Sequence, residues 1–247
     1  MSTAIENRIY EKIKIKLEKI VLKRKDLKNA LLLIHSDQLK IHWKFAVGTT
    51  GPKHQPISAD QPYHIASIGK TFTAILIARL YERGRINYDD PVSKYLSPEM
   101  LTGLFVYQGV DYSKTVLVKQ LLNHTSGIAD YYEDKPVAGK SMKELVIEAP
   151  ERFWKPEDTI AYTRVNQRAF SLPGKRFHYS DTGYNLLGKI IEKVTDRPFH
   201  ENLHTEIFDP LGMANSYFLF YSEPKEKAIF NLPIPLSENT RFLLLKA

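Results

Sequence analysis

Between Ser67 and Arg83 the chain must form a buried helix. Ile68, Phe72, Ile75, Leu76 and Leu80 recur along one face, and Ala74, Ile77 and Ala78 broaden it. Lys70 aside, charge returns only in the last turns, and Gly84 is a natural stop. A helix this apolar needs a core around it, and 247 residues are enough to build one.

Around it the chain reads as a short β beginning and a long helical middle. Residues 4–25 predict a helix, with Ile9, Ile13, Leu17 and Ile20 as its apolar stripe. A hairpin follows: Ala30 to Ile34 run apolar, Ser36-Asp37-Gln38 supply the turn, and Ile41, Trp43 and Phe45 alternate with polar residues. Further helices are expected at 116–123, 142–148, 182–195 and 198–207. Ser141 and Glu144 have capping-box spacing, and Pro198 opens the last of these helices.

Residues 1–30 hold nine Lys and Arg against four acids, which is +5 of the net +7. Such a start has the make-up to touch an anionic membrane or nucleic acid, or to be a solvated helix face. No nucleic-acid module accompanies it. No apolar run reaches membrane-spanning length, and no secretory signal is recognisable, so a cytoplasmic protein is expected. The absence of cysteine excludes disulfides, thiolate zinc sites and a Cys nucleophile.

The chemistry starts from Ser67-Ile68-Gly69-Lys70. Residues three apart share a helix face, so the Lys70 ammonium can reach the Ser67 hydroxyl. A serine attacks a carbonyl only if a partner takes its proton. At a helix start, backbone N–H groups also point at a forming oxyanion.

The segment Tyr63-His64-Ile65-Ala66-Ser67-Ile68-Gly69-Lys70-Thr71-Phe72-Thr73-Ala74 resembles the nucleophile region of the penicillin-recognising serine hydrolases. That family includes class C β-lactamases, D-alanyl-D-alanine peptidases and related esterases. Four more blocks follow in the family's order. They are Ile86 to Leu96, Leu121-Leu122-Asn123-His124-Thr125-Ser126-Gly127-Ile128, Pro173-Gly174 with Phe177 to Gly188, and Ile207 to Met213. The resemblance covers about residues 30–218.

It implies an α/β (α+β) fold, a β-lactamase-like antiparallel sheet with a large inserted helical region. Residues 1–59 would supply the N-terminal helix and hairpin, and 60–215 the helical region. An irregular tail over 216–247 would stand in place of the family's last strands. Tyr179 falls on the family's Tyr-x-Asn tyrosine, the proton acceptor for Ser67. A tyrosine serves that way only where cations such as Lys70 stabilise its phenolate. Asp181 occupies the substrate-binding Asn position, where a carboxylate accepts hydrogen bonds but donates none. It would also keep Lys70 an ammonium. The His124–Gly127 turn is structural in the family.

No Lys-Thr-Gly or His-x-Gly triad occurs after Met213, so the sheet is expected to be incomplete. Loss of an oxyanion donor costs about 10²–10³ in turnover. Two outcomes follow: a shortened enzyme of low activity, or a sheet completed by another polypeptide, a second copy included. The resemblance implies acyl-enzyme chemistry on an ester, amide, peptide or β-lactam substrate, without a cofactor. Two other readings remain open: a non-catalytic binding module, and a zinc peptidase built on His200-Glu201-Asn202-Leu203-His204.

Overall fold

The computed structural model describes residues 3–50, 54–219 and 221–222. The described residues divide into two compact units, the first up to His64 and the second from Ile65 onward. The irregular tail expected over 216–247 lies, beyond Ser222, outside the described residues.

In the first unit, helix α1 (Thr3–Lys23) precedes an antiparallel hairpin of β1 (Asn29–Ser36) and β2 (Ile41–Thr50). Lys40, at φ 54°, closes the turn, and Leu32 faces Phe45 while Ile34 faces Trp43. A two-residue strand β3 (Gln55–Pro56) pairs with the end of β2, giving the order β1-β2-β3. The helix meets the sheet through Tyr10, whose ring stacks 4.5 Å from Phe45 and stands edge-on 5.8 Å from Trp43.

That aromatic contact sets the rotation of α1. Its half-buried stripe is Tyr10, Ile13, Leu17 and Val21, at spacings of three, four and four. The expected stripe shares Ile13 and Leu17 but also took in Ile9 and Ile20, which face outward. Burying one tyrosine against two sheet aromatics outweighs burying either isoleucine.

The second unit is helical around two central elements, α2 (Gly69–Glu82) and α7 (Asp181–Thr195). Between them lie α3 (Pro98–Leu101), the two-stranded β4 (Val106–Tyr107) and β5 (Val110–Asp111), α4 (Val118–Leu122), α5 (Met142–Glu148) and α6 (Pro156–Asn166). The core joins Leu76, Ile77 and Leu80 of α2 to Leu186, Leu187, Ile190 and Ile191 of α7. Ser141 and Glu144 cap α5 reciprocally, as their spacing predicted.

The inward stripe of α2 is Lys70, Thr73, Leu76, Ile77 and Leu80. Ile68 and Ile75, expected on the buried face, are 65% and 40% exposed. The correction matters chemically, because one stripe now carries both the core contacts and Lys70. At the other end of α2, Arg79 and Arg83 grip Glu206 at 2.7–2.9 Å. Hydrogen bonds from Arg83 and Arg79 outweigh burial and hold the Glu206 carboxyl down at about 2.

Helix α6 had no counterpart in the periodicity. Two of its four buried residues are threonines: Thr159 accepts from Asn185, and Thr163 pairs with Thr182. An apolar-period search passes over such a face. The helix expected at 198–207 is interrupted: α8 (Phe199–Leu203) runs into a π-helical turn, His204–Phe208. Among the described residues no helix is long and apolar enough to cross a membrane.

Candidate active site

A 3₁₀ turn, Ala66–Ile68, leads directly into α2 and leaves Ser67 exposed at the helix start. Ala66 adopts φ 45°, a left-handed conformation that a side-chain-bearing residue takes only when its surroundings enforce it. One turn later Lys70 points back, with Nζ 3.4 Å from Ser67 Oγ. From the opposite side the Tyr179 hydroxyl donates to the same oxygen at 2.8 Å. A lysine three residues away and a tyrosine 112 residues away therefore meet at the Ser67 hydroxyl.

Lys70 is tightly held. Its ammonium donates to Asp181 Oδ1 at 2.5 Å, with the two side chains only 7% and 1% exposed. It also lies 4.9 Å from the centre of the Tyr179 ring and 5.5 Å from that of Tyr184. Two aromatic faces and a carboxylate stabilise a buried cation that would otherwise be costly. Asp181 thus meets Lys70 from the first residue of α7.

The His-Thr-Ser-Gly turn explains how Tyr179 is aimed. The carbonyls of His124, Thr125 and Gly127 accept backbone N–H groups of His178, Gly174 and Phe170 in turn. The turn needs left-handed residues at His124 (φ 59°) and Gly127 (φ 81°). A Cβ on Gly127 would fall 2.1 Å from the Ser171 carbonyl oxygen, so only glycine fits.

His124 brackets the tyrosine on both sides. Its carbonyl takes His178 N–H, and its ring Nδ1 takes Ser180 N–H at 3.1 Å. Its ring also stacks on Tyr179 with centroids 4.5 Å apart. Burial, assisted by the Lys70 charge, pushes His124 down to about 4, so near neutrality the ring is uncharged. With Nδ1 accepting, Nε2 carries the proton.

A second support was not read from the sequence. Buried Asp130, three residues after Gly127, accepts Asp181 N–H at 2.6 Å on Oδ2 and the N–H groups of Tyr132 and Glu133 on Oδ1. Burial and the nearby Asp181 charge raise its carboxyl above the ordinary range, against those hydrogen bonds. Asp134 Oδ2 in turn accepts Asp130 N–H and meets His178 Nε2 at 2.7 Å. In the sequence the one mark of Asp130 is its place as the first acid after the His124–Gly127 turn.

The His-Glu-x-x-His pair follows a different course. His200 stacks near Tyr221, with centroids 5.8 Å apart, while His204 Nε2 lies 3.0 Å from Ser222 Oγ and its ring edges onto Phe208. Among the described residues no group of three or more His, Asp or Glu is placed to hold a metal.

A family model described as Beta-lactamase matches residues 29–227. Penicillin-binding protein 4* of Bacillus subtilis is 33% identical over 159 residues, 64% of this chain and 31% of its own length. Two solved structures are similar across the fold. A D-stereospecific amidohydrolase from Streptomyces sp. has a TM-score of 0.66 and 30% identity, covering 80% of this chain and 53% of that one. The octameric penicillin-binding protein homologue from Pyrococcus abyssi has a TM-score of 0.65 and 32% identity, covering 86% and 45%. The chain thus spans about a third of the length of the curated relatives it matches and about half that of these solved structures.

Proposed function

The chain belongs to the Beta-lactamase family, and from that membership we propose that it hydrolyses small esters or amides through an acyl intermediate on Ser67. One observation carries the reading: Ser67 Oγ lies within reach of both the Tyr179 hydroxyl and the Lys70 ammonium.

Once the Tyr179 hydroxyl, which donates to Ser67 Oγ at rest, has released its proton to solvent, Ser67 Oγ attacks the substrate carbonyl carbon and the Tyr179 oxygen takes the serine proton. Lys70, kept an ammonium by Asp181, stabilises that phenolate and the charge developing beside it. The tetrahedral intermediate collapses, the carbonyl–leaving-group bond breaks, and Tyr179 returns the proton to the leaving group. Water then attacks the Ser67 ester by the same route, releasing acid and free serine. With its side chain turned to Lys70, Asp181 serves chiefly as a counter-ion, and a substrate contact would be secondary.

The similar D-stereospecific amidohydrolase supports amides of D configuration as the first substrates to try, with small esters and penicillins beside them. The reading includes assembly. Among the described residues β1 is an edge strand, where a second polypeptide can add, and the similar archaeal protein is octameric.

A panel of chromogenic esters, D- and L-amino-acid amides and penicillins tests the proposal. Turnover of at least one compound is expected, falling by about 10³-fold or more in Ser67→Ala. Turnover that survives Ser67→Ala would defeat it. No turnover at all would favour the binding-module reading.

A further inference from the structure

Helix α1 presents five cations on one outward stripe. Arg8, Lys12, Lys16, Lys19 and Lys23 follow at spacings of four, four, three and four, within an arc of about 80° at 3.6 residues per turn. All five are exposed, and none makes an ion pair or hydrogen bond among the described residues. The acids of the helix, Glu6, Glu11 and Glu18, lie outside that arc.

Apolar side chains flank the stripe on both sides. Ile9 and Ile20 line one border and Ile15 and Leu22 the other, while Ile5 lies within the stripe at its N-terminal end; Leu22 is 86% exposed. None of these five is needed for folding onto the sheet, which Tyr10, Ile13, Leu17 and Val21 accomplish. Mixed charge would serve solubility better than a single-sign stripe with isoleucines along its edges.

We infer that the outward face of α1 binds an anionic lipid bilayer, lying in the headgroup plane with lysines on phosphates and isoleucine and leucine side chains entering the acyl boundary. Opposite charge supplies the attraction, and bordering apolar groups suit a surface that offers hydrocarbon a few ångströms down. A nucleic acid suits the face less well. Four of the five cations are lysines, no aromatic ring borders them to stack on a base, and branched aliphatics gain little from a phosphodiester backbone.

The test is co-sedimentation of the full chain with vesicles of phosphatidylcholine alone or containing about 30% phosphatidylserine. Binding is expected to the anionic vesicles only, weakening steeply between about 0.05 and 0.5 M salt. Lys12→Gln, Lys16→Gln and Lys19→Gln combined should weaken it about a hundredfold, at about fivefold per cation. Ile15→Ser with Leu22→Ser should weaken it about tenfold. These positions are exposed, so an unchanged melting curve should accompany both variants; if either fails to fold, the salt series on the unmodified chain reads the same charge dependence. Failure to pellet with anionic vesicles at low salt overturns the inference. So does equal binding to neutral vesicles, or tighter binding to duplex DNA or single-stranded RNA.

Discussion

Replacing Tyr179 with Phe is expected to lower kcat by about 10²–10⁴-fold while leaving KM within about threefold. The substitution removes one oxygen, the atom 2.8 Å from Ser67 Oγ, and little else. The ring itself is held by other means. It stacks on His124, and the backbone N–H groups on either side of it bond to the His124 carbonyl and Nδ1. A phenylalanine should therefore occupy the same place, and substrate should still bind. Steady-state hydrolysis of the best ester or amide reads the split between kcat and KM. A variant retaining kcat within about threefold would move the proton acceptor from Tyr179 to Lys70, which among the described residues also reaches Ser67 Oγ.

The second large effect is on stability. Asp181→Ala leaves the Lys70 ammonium buried with two aromatic faces and no carboxylate, and should cost about 3–5 kcal/mol of unfolding free energy. Asp181→Asn keeps an oxygen for Lys70 to donate to and should recover much of that loss, though not the charge. Urea unfolding of the three proteins measures both steps. A loss below about 1 kcal/mol in Asp181→Ala would mean that Lys70 is stabilised chiefly by water or by the rings, and the counter-ion role would fall.

Ser67 and Lys70 are legible in the sequence because one helical turn fixes their separation, and turn geometry is local. Tyr179 is legible only through the motif it sits in, since nothing within ten residues of it says that it meets Ser67. The meeting is arranged by the 124–127 turn docking on residues 170–178, a backbone match between distant segments. Those hydrogen bonds leave no periodicity to find.

The same reasoning separates the elements. The hairpin and α7 announce themselves through alternation and an apolar stripe. Helix α6 hides because hydrogen-bonded threonines take two of the four places on its inner face and break the apolar stripe. The rotations of α1 and α2 differ from the apolar pattern at two positions each for a related reason. Apolar residues outnumber the places available in the core, and only packing against Tyr10's partners or around Lys70 decides which are buried. Asp130 escaped notice because a buried acid bonded only to backbone N–H groups has no partner side chain to pair it with in sequence.

Intact-mass analysis after exposure to a fluorophosphonate shows whether Ser67 is an activated nucleophile. A single added phosphonyl group is expected, mapped to the peptide holding Ser67 and absent from Ser67→Ala. A folded protein that gains no mass, or that carries the label on any other residue, would contradict the account.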